Sequence, residues 1–250
     1  MYNVNLAMIN ACTVLSDAEI QKALPAFNKQ LARDFGPIWG VESHIRFIGK
    51  GKTIPKGYWW ISILDDADGA GYLGYHDLTP EGYPLGKAFA KTDIDNGYNW
   101  TITATHEILE MLIDPSINLA AFIEEGKYAG KLFAYEVCDA CEADEIGYNI
   151  DGTMVSDFVT LDYFEWFHTK TTGFDFRNKI KAPFQILPGG YMSVYDIRDG
   201  NGWQQITAQN ADRKTLLKAR PPIGSRRERR RIPRSQWLRS KPEMNRAQKL

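Results

Sequence analysis

The chain has 250 residues, 44% of them hydrophobic, with seven Trp and twelve each of Phe and Tyr, so most of it is expected to be globular with a sizeable core. Its formal charge of −1 hides an asymmetry: residues 211–250 carry 14 Lys and Arg against 3 Asp and Glu, a balance of +11, which leaves −12 on residues 1–210. Three cysteines, Cys12, Cys138 and Cys141, exclude a disulfide-framed secreted scaffold, and no stretch reaches the ~18 apolar residues a membrane helix needs.

In chain order, "NVNLAMIN" (3–10) has the apolar character of a buried strand. The preceding and following residues lack the basic start and long apolar run of a signal peptide, so the expected location is the cytoplasm of the producing cell. Residues 16–35 are expected to be helical: Ser16 and Glu19 form a capping box, and Ile20, Leu24, Phe27 and Leu31 recur at helical spacing, with Pro25 expected to bend the run. Strands are expected at 44–49 and 57–66, a Gly-rich turn at 66–77, and a further strand at 84–93. A helix over 99–113 stops at Asp114-Pro115, because the residue before Pro avoids the helical region. Beyond it, 131–145 reads as a strand entering an acidic loop, Asp151-Gly152 as a hairpin turn within 148–159, 161–168 as a short helix, and 188–206 as a final hairpin turning at 199–202. The order gives an α+β protein in which the later helix packs under a mixed sheet, with a hairpin-rich C-terminal part. Two regions are expected: a globular domain over 1–210 and a basic, extended tail over 211–250.

The helix at 99–113 carries the chemistry. With His106 at 0° on a helical wheel, Glu110 falls at about 40°, Asp114 at about 80° and Glu107 at about 100°. Ile102, Thr105, Leu109, Leu112 and Ile113 fall between about 240° and 340°, on the other side of His106 from the carboxylates. His106 and Glu110, four residues apart, can reach one cation, and imidazole nitrogen and carboxylate oxygen are both good zinc donors. An outward-facing polar helix is the simpler reading, but such faces mix charges, and residues 92–126 contain no Lys or Arg. From 92 to 169 there are 16 acidic residues against Lys127 and Lys131 alone, and gathered carboxylates repel one another unless protonated or cation-bound.

"HEILE" resembles the metal helix of zincin metallopeptidases, H-E-x-x-H, with Glu110 in place of the second His. The order of strands and helices before it is also similar to the zincin fold. The wider stretch "HEILEMLIDP…EVCDACE…VSDFVT" resembles uncharacterised zincin-like proteins of phages and bacteria, over roughly residues 60–205. The resemblance implies His106 and Glu110 as ligands of Zn2+ or another divalent cation, and Glu107 as the general base that activates water against a peptide substrate. Glu110 departs from the pattern, adding negative charge and weakening the Lewis acid. A third ligand is then needed. One branch of zincins takes an acidic residue downstream of the helix, which here points to Glu136, Asp139 and Glu142 in "EVCDACE", with Asp139 or Glu136 favoured. Asp114 is read as an acceptor behind His106 or a helix-end group. His76 is read as a ligand, a transition-state donor or an ordinary strand-end His, and the Gly-rich segment around it is implied to flank the strand lining the substrate cleft.

Cys138-x-x-Cys141 lacks the second pair a zinc-ribbon site needs and the βαβ context of a redox motif, so two ordinary, partly buried thiols are expected. Gly69, Gly71 and Gly74 are not followed by a phosphate-loop helix. In the tail, Arg226, Arg227, Arg229, Arg230 and Arg231 suit non-specific nucleic-acid phosphates or an acidic protein surface. This supports an alternative role as a phage virion structural protein, anchored by its tail to capsid or tail proteins or to further copies of itself.

Overall fold

The computed structural model describes residues 2–49, 51–68, 72–168, 173–198 and 202–208. The chain opens with strand β1 (Tyr2–Asn10) and helix α1 (Asp17–Lys29), which Ser16 caps through the reciprocal bonds of a capping box with Glu19. The helical run continues as a π-helical stretch (Gln30–Phe35) and a last turn, α2 (Gly36–Trp39), so the expected helix over 16–35 is present but changes winding after Lys29. Strands β2 (Val41–Ile48), β3 (Trp59–Leu64), β4 (Gly74–Leu78) and β5 (Pro84–Phe89) follow. The strand expected over 84–93 ends at Phe89, where Ala90–Asp95 turns into the short helix α3. His76, expected on a turn, lies inside β4, and the expected short helix near 161–168 is a single 3-10 turn, Leu161–Phe164.

These strands form one sheet in the order β2-β1-β3-β5-β4. All neighbours are parallel except β4, which runs antiparallel to β5 along the edge. Alternation sets its faces: Val4, Leu6, Met8, Ile45, Ile61 and Ile63 are buried, while Asn3, Asn5, Glu42, His44 and Arg46 are exposed. Helix α4 (Trp100–Ile113) packs against β3, β4 and β5, and Trp100 meets Phe27 of α1 edge-on.

A second, antiparallel sheet has the order β11-β10-β7-β6, built from β6 (Ala120–Ile123), β7 (Lys131–Ala134), β10 (Tyr191–Asp196) and β11 (Trp203–Thr207). Between its strands lies the hairpin of β8 (Tyr148–Ile150) and β9 (Thr153–Val155), whose turn residues Asp151 and Gly152 both have positive φ. The architecture is mixed α+β. No helix among the described residues is long and apolar enough to cross a membrane. The tail at 211–250, with its five candidate arginines, and the tip of the final hairpin at 199–201 lie outside the described residues.

Candidate metal centre

Helix α4 is buried from Ile102 to Leu112, polar face included. Its start is tied to the acidic loop, since the backbone N–H and Nδ2 of Asn99 both donate to Asp144 Oδ2. Its end is closed by Asp114, whose two carboxylate oxygens accept from the backbone N–H groups of Asn118 and Leu119 at 2.9 and 3.0 Å. Asp114 is therefore a helix-end group, as one of its two readings had it.

Within α4, His106 and Glu110 stand one turn apart, with Nε2 to Oε2 at 3.3 Å. The 3-10 turn Asp139–Cys141, which follows β7, brings Asp139 Oδ1 to 3.3 Å from the same Nε2. The second oxygen of Glu110, Oε1, accepts from the backbone N–H of Cys138 at 3.2 Å, which orients the carboxylate and aims Oε2 at the histidine. These distances are informative. A charge-assisted N–H···O bond runs to about 2.7–2.9 Å, whereas neighbouring donors around a tetrahedral cation with ~2.1 Å bonds lie about 3.4 Å apart. Among the described residues, His106, Glu110 and Asp139 form a buried group able to hold a metal ion.

Beside this group lies another, His76 with Glu110 and Glu136. The imidazole of His76 approaches Glu107 Oε2 at 3.6 Å and Glu110 Oε2 at 3.7 Å through Nδ1, and Glu136 Oε2 at 3.8 Å through Nε2. Exposure is 0% for His76, 7% for His106, 5% for Glu107 and Glu136, 4% for Asp139 and 3% for Glu110. Six of the eight acidic and histidine candidates thus converge, while Asp114 closes the helix end and Glu142 ends the 139–141 turn half-buried next to them.

Neither a family model, a curated protein nor a solved structure matches this chain. The site's own chemistry therefore carries the argument.

Burial opposes ionisation of every group here. For His106 the carboxylates of Glu110 and Asp139 outweigh it, holding the imidazole well above its ordinary range. Glu110 is pulled the other way: burial would raise it, but His106 keeps it near about 2. Asp139 is pushed up to about 7, by burial first and the charge of Glu110 next. In metal-free protein the group holds protons that a cation would displace.

Four participants have no signal in the sequence. Tyr191, at the start of β10, has its hydroxyl pushed well up by burial and by the charges of Asp139, Glu142, Glu110 and Glu107, so it stays protonated. The Cys138 N–H matters through its backbone, which no residue type announces. Gly74 and Gly86 make room for Glu107. A Cβ on Gly74 would lie 2.7 Å from Glu107 Oε1, and one on Gly86 would meet Ile61 Cδ1 at 2.9 Å and Glu107 Cβ at 3.5 Å. Cys138 and Cys141 are free, fully buried thiols raised well above their ordinary range, chiefly by burial, which suits the expected inert role.

A third group, Asp162, Glu165 and His168, is partly exposed, with His168 Nε2 at 3.1 Å from Asp162 Oδ1. It is a surface charge cluster around the 161–164 turn.

Proposed function

We propose that this chain is a zincin-like, metal-dependent hydrolase of peptide bonds, with His106, Glu110 and Asp139 holding a divalent cation and Glu107 as general base. The observation that carries the reading is the pair of 3.3 Å separations around His106 Nε2, in a region without lysine or arginine on the helix. A bound cation would supply Lewis-acid polarisation of a carbonyl and a lowered pKa for water. Glu107, held against β4 by the space at Gly74, takes the proton of the attacking water and passes it to the leaving amine. Tyr191 keeps its proton and offers an O–H to developing negative charge. Glu110 in place of an imidazole makes the centre less electrophilic than a two-histidine site.

The burial of all donors favours a second reading, a closed structural site that fastens α4 to the 139–141 turn, because catalytic sites keep an open position. One experiment separates the two. Purified protein should carry metal by mass spectrometry, and His106→Ala should lose most of it. Glu107→Gln should keep the metal yet lower peptide hydrolysis by about 10²–10⁴-fold. Metal without any turnover in the unmodified protein would leave the structural reading, and absence of metal would overturn both.

A further inference from the structure

We propose that the buried cluster binds two divalent cations, the first through His106, Glu110 and Asp139 and the second through His76, Glu110 and Glu136, with Glu110 shared. The inference rests on the metal-centre reading above and deepens it.

The geometry of Glu110 is the first argument. Its Oε1 is engaged by the Cys138 N–H, and its Oε2 faces two imidazoles from opposite elements, His106 of α4 at 3.3 Å and His76 of β4 at 3.7 Å. One carboxylate oxygen thus belongs to both donor groups, as a bridging ligand does. One donor atom each of His76, Glu110 and Glu136 lies within 4.8 Å of the others, close enough to share a cation, while the approaches of 3.6–3.8 Å are too long for hydrogen bonds.

Charge is the second, independent argument. Glu107, Glu110, Glu136 and Asp139 are each more than nine-tenths buried. Four carboxylates with two neutral imidazoles carry −4. One divalent cation leaves −2 in a buried space, and two bring the cluster to neutrality. Two histidines and three carboxylates, with Glu107 beside them, come close to the donor set of dinuclear carboxylate centres built on helices. Such an oxygen-rich set favours Mn2+ or Fe2+ more than a cysteine- or histidine-rich site would.

The test uses the full chain, stripped with chelator and titrated with Mn2+ by calorimetry, with bound metal counted by mass spectrometry. Two equivalents are expected, with a spin-coupled Mn2+ pair by electron paramagnetic resonance. His76→Ala and Glu136→Gln should each reduce this to one, the second variant preserving side-chain shape and both checked for fold by circular dichroism. His168→Ala, at the surface cluster, should leave the count at two. One equivalent in the unmodified protein overturns the second site and leaves the first intact. Two equivalents retained by both His76→Ala and Glu136→Gln also overturn it. No bound metal at all overturns the centre itself.

Discussion

Asp157 is fully buried, and its carboxyl is pushed up to about 9 by burial and by Asp175. Its Oδ1 accepts from the backbone N–H groups of Phe158 and Arg177, while Asp175 accepts from those of Lys179 and Ile180. The raised pKa of Asp157 means that it takes up a proton beside Asp175. Because the folded-state pKa lies above the unfolded value near 4, the folded protein binds the extra proton between those limits, so stability falls as pH rises across that window, by at most about 1.4 kcal/mol per pH unit. Asp157→Asn keeps the acceptor and provides a permanent donor to Asp175. It should raise the thermal midpoint at pH 8 and flatten its decline between pH 5 and 9. An unchanged pH profile in thermal melts would show that the extra proton is not there. Nothing in the sequence marks this pair, since "VSDFV" and "GFDFR" are 18 residues apart and meet only in the fold, through the bridge of Val159 with Asp175 and the backbone bond from Phe176 to Phe158.

The elements around the site were legible in unequal measure. Helix α4 could be read because its start, its stop at Asp114-Pro115 and its His/Glu spacing are all local. The route from α4 to Asp139 was half legible: an acidic cluster downstream was visible, but the choice of Asp139 over Glu136 depends on the 3-10 turn placing one oxygen at His106 and the other residue at His76. His76 was not placed, because its role depends on β4 folding back antiparallel along β5, in register with Gly86, and sheet order is a tertiary fact. The glycines followed suit. Around Gly74 the sequence suggests a turn, yet the residue is needed for close approach in a strand. Gly74→Ala tests that: its Cβ would press on Glu107 Cγ and on the Lys87 carbonyl, both at 2.8 Å. The side chain can yield but the backbone oxygen cannot, so a loss of about 1–3 kcal/mol is expected in denaturant titration. Displacement of Glu107 should reduce hydrolysis more than it reduces bound metal. A variant as stable and active as the parent would mean that β4 does not hold Glu107.

Over the whole molecule, the site is where two sheets and a helix are joined. β4 brings His76 from the edge of the first sheet, α4 brings His106, Glu107 and Glu110, and the segment leaving β7 of the second sheet brings Glu136 and Asp139. Without a cation, these elements are joined by packing and by protons that His106 and Asp139 hold in the cluster, so this junction should be the first part of the protein to open. Cation binding opposes that opening, since a ligand that binds only the folded state stabilises it by about 2.7 kcal/mol at a hundredfold excess over its Kd. For a chain of this size that corresponds to a rise of roughly 5–10 °C in Tm. The rise should be reversed by chelator and absent in His106→Ala. It should also be larger at pH 8 than at pH 6, because the cation must displace the proton that Glu110 and Asp139 hold on His106, and that competition weakens as pH rises. Thermal melts with and without Mn2+ at the two pH values measure both effects. A shift equal in His106→Ala and the parent would place the stabilising cation elsewhere, and the union of the two sheets would then rest on packing alone.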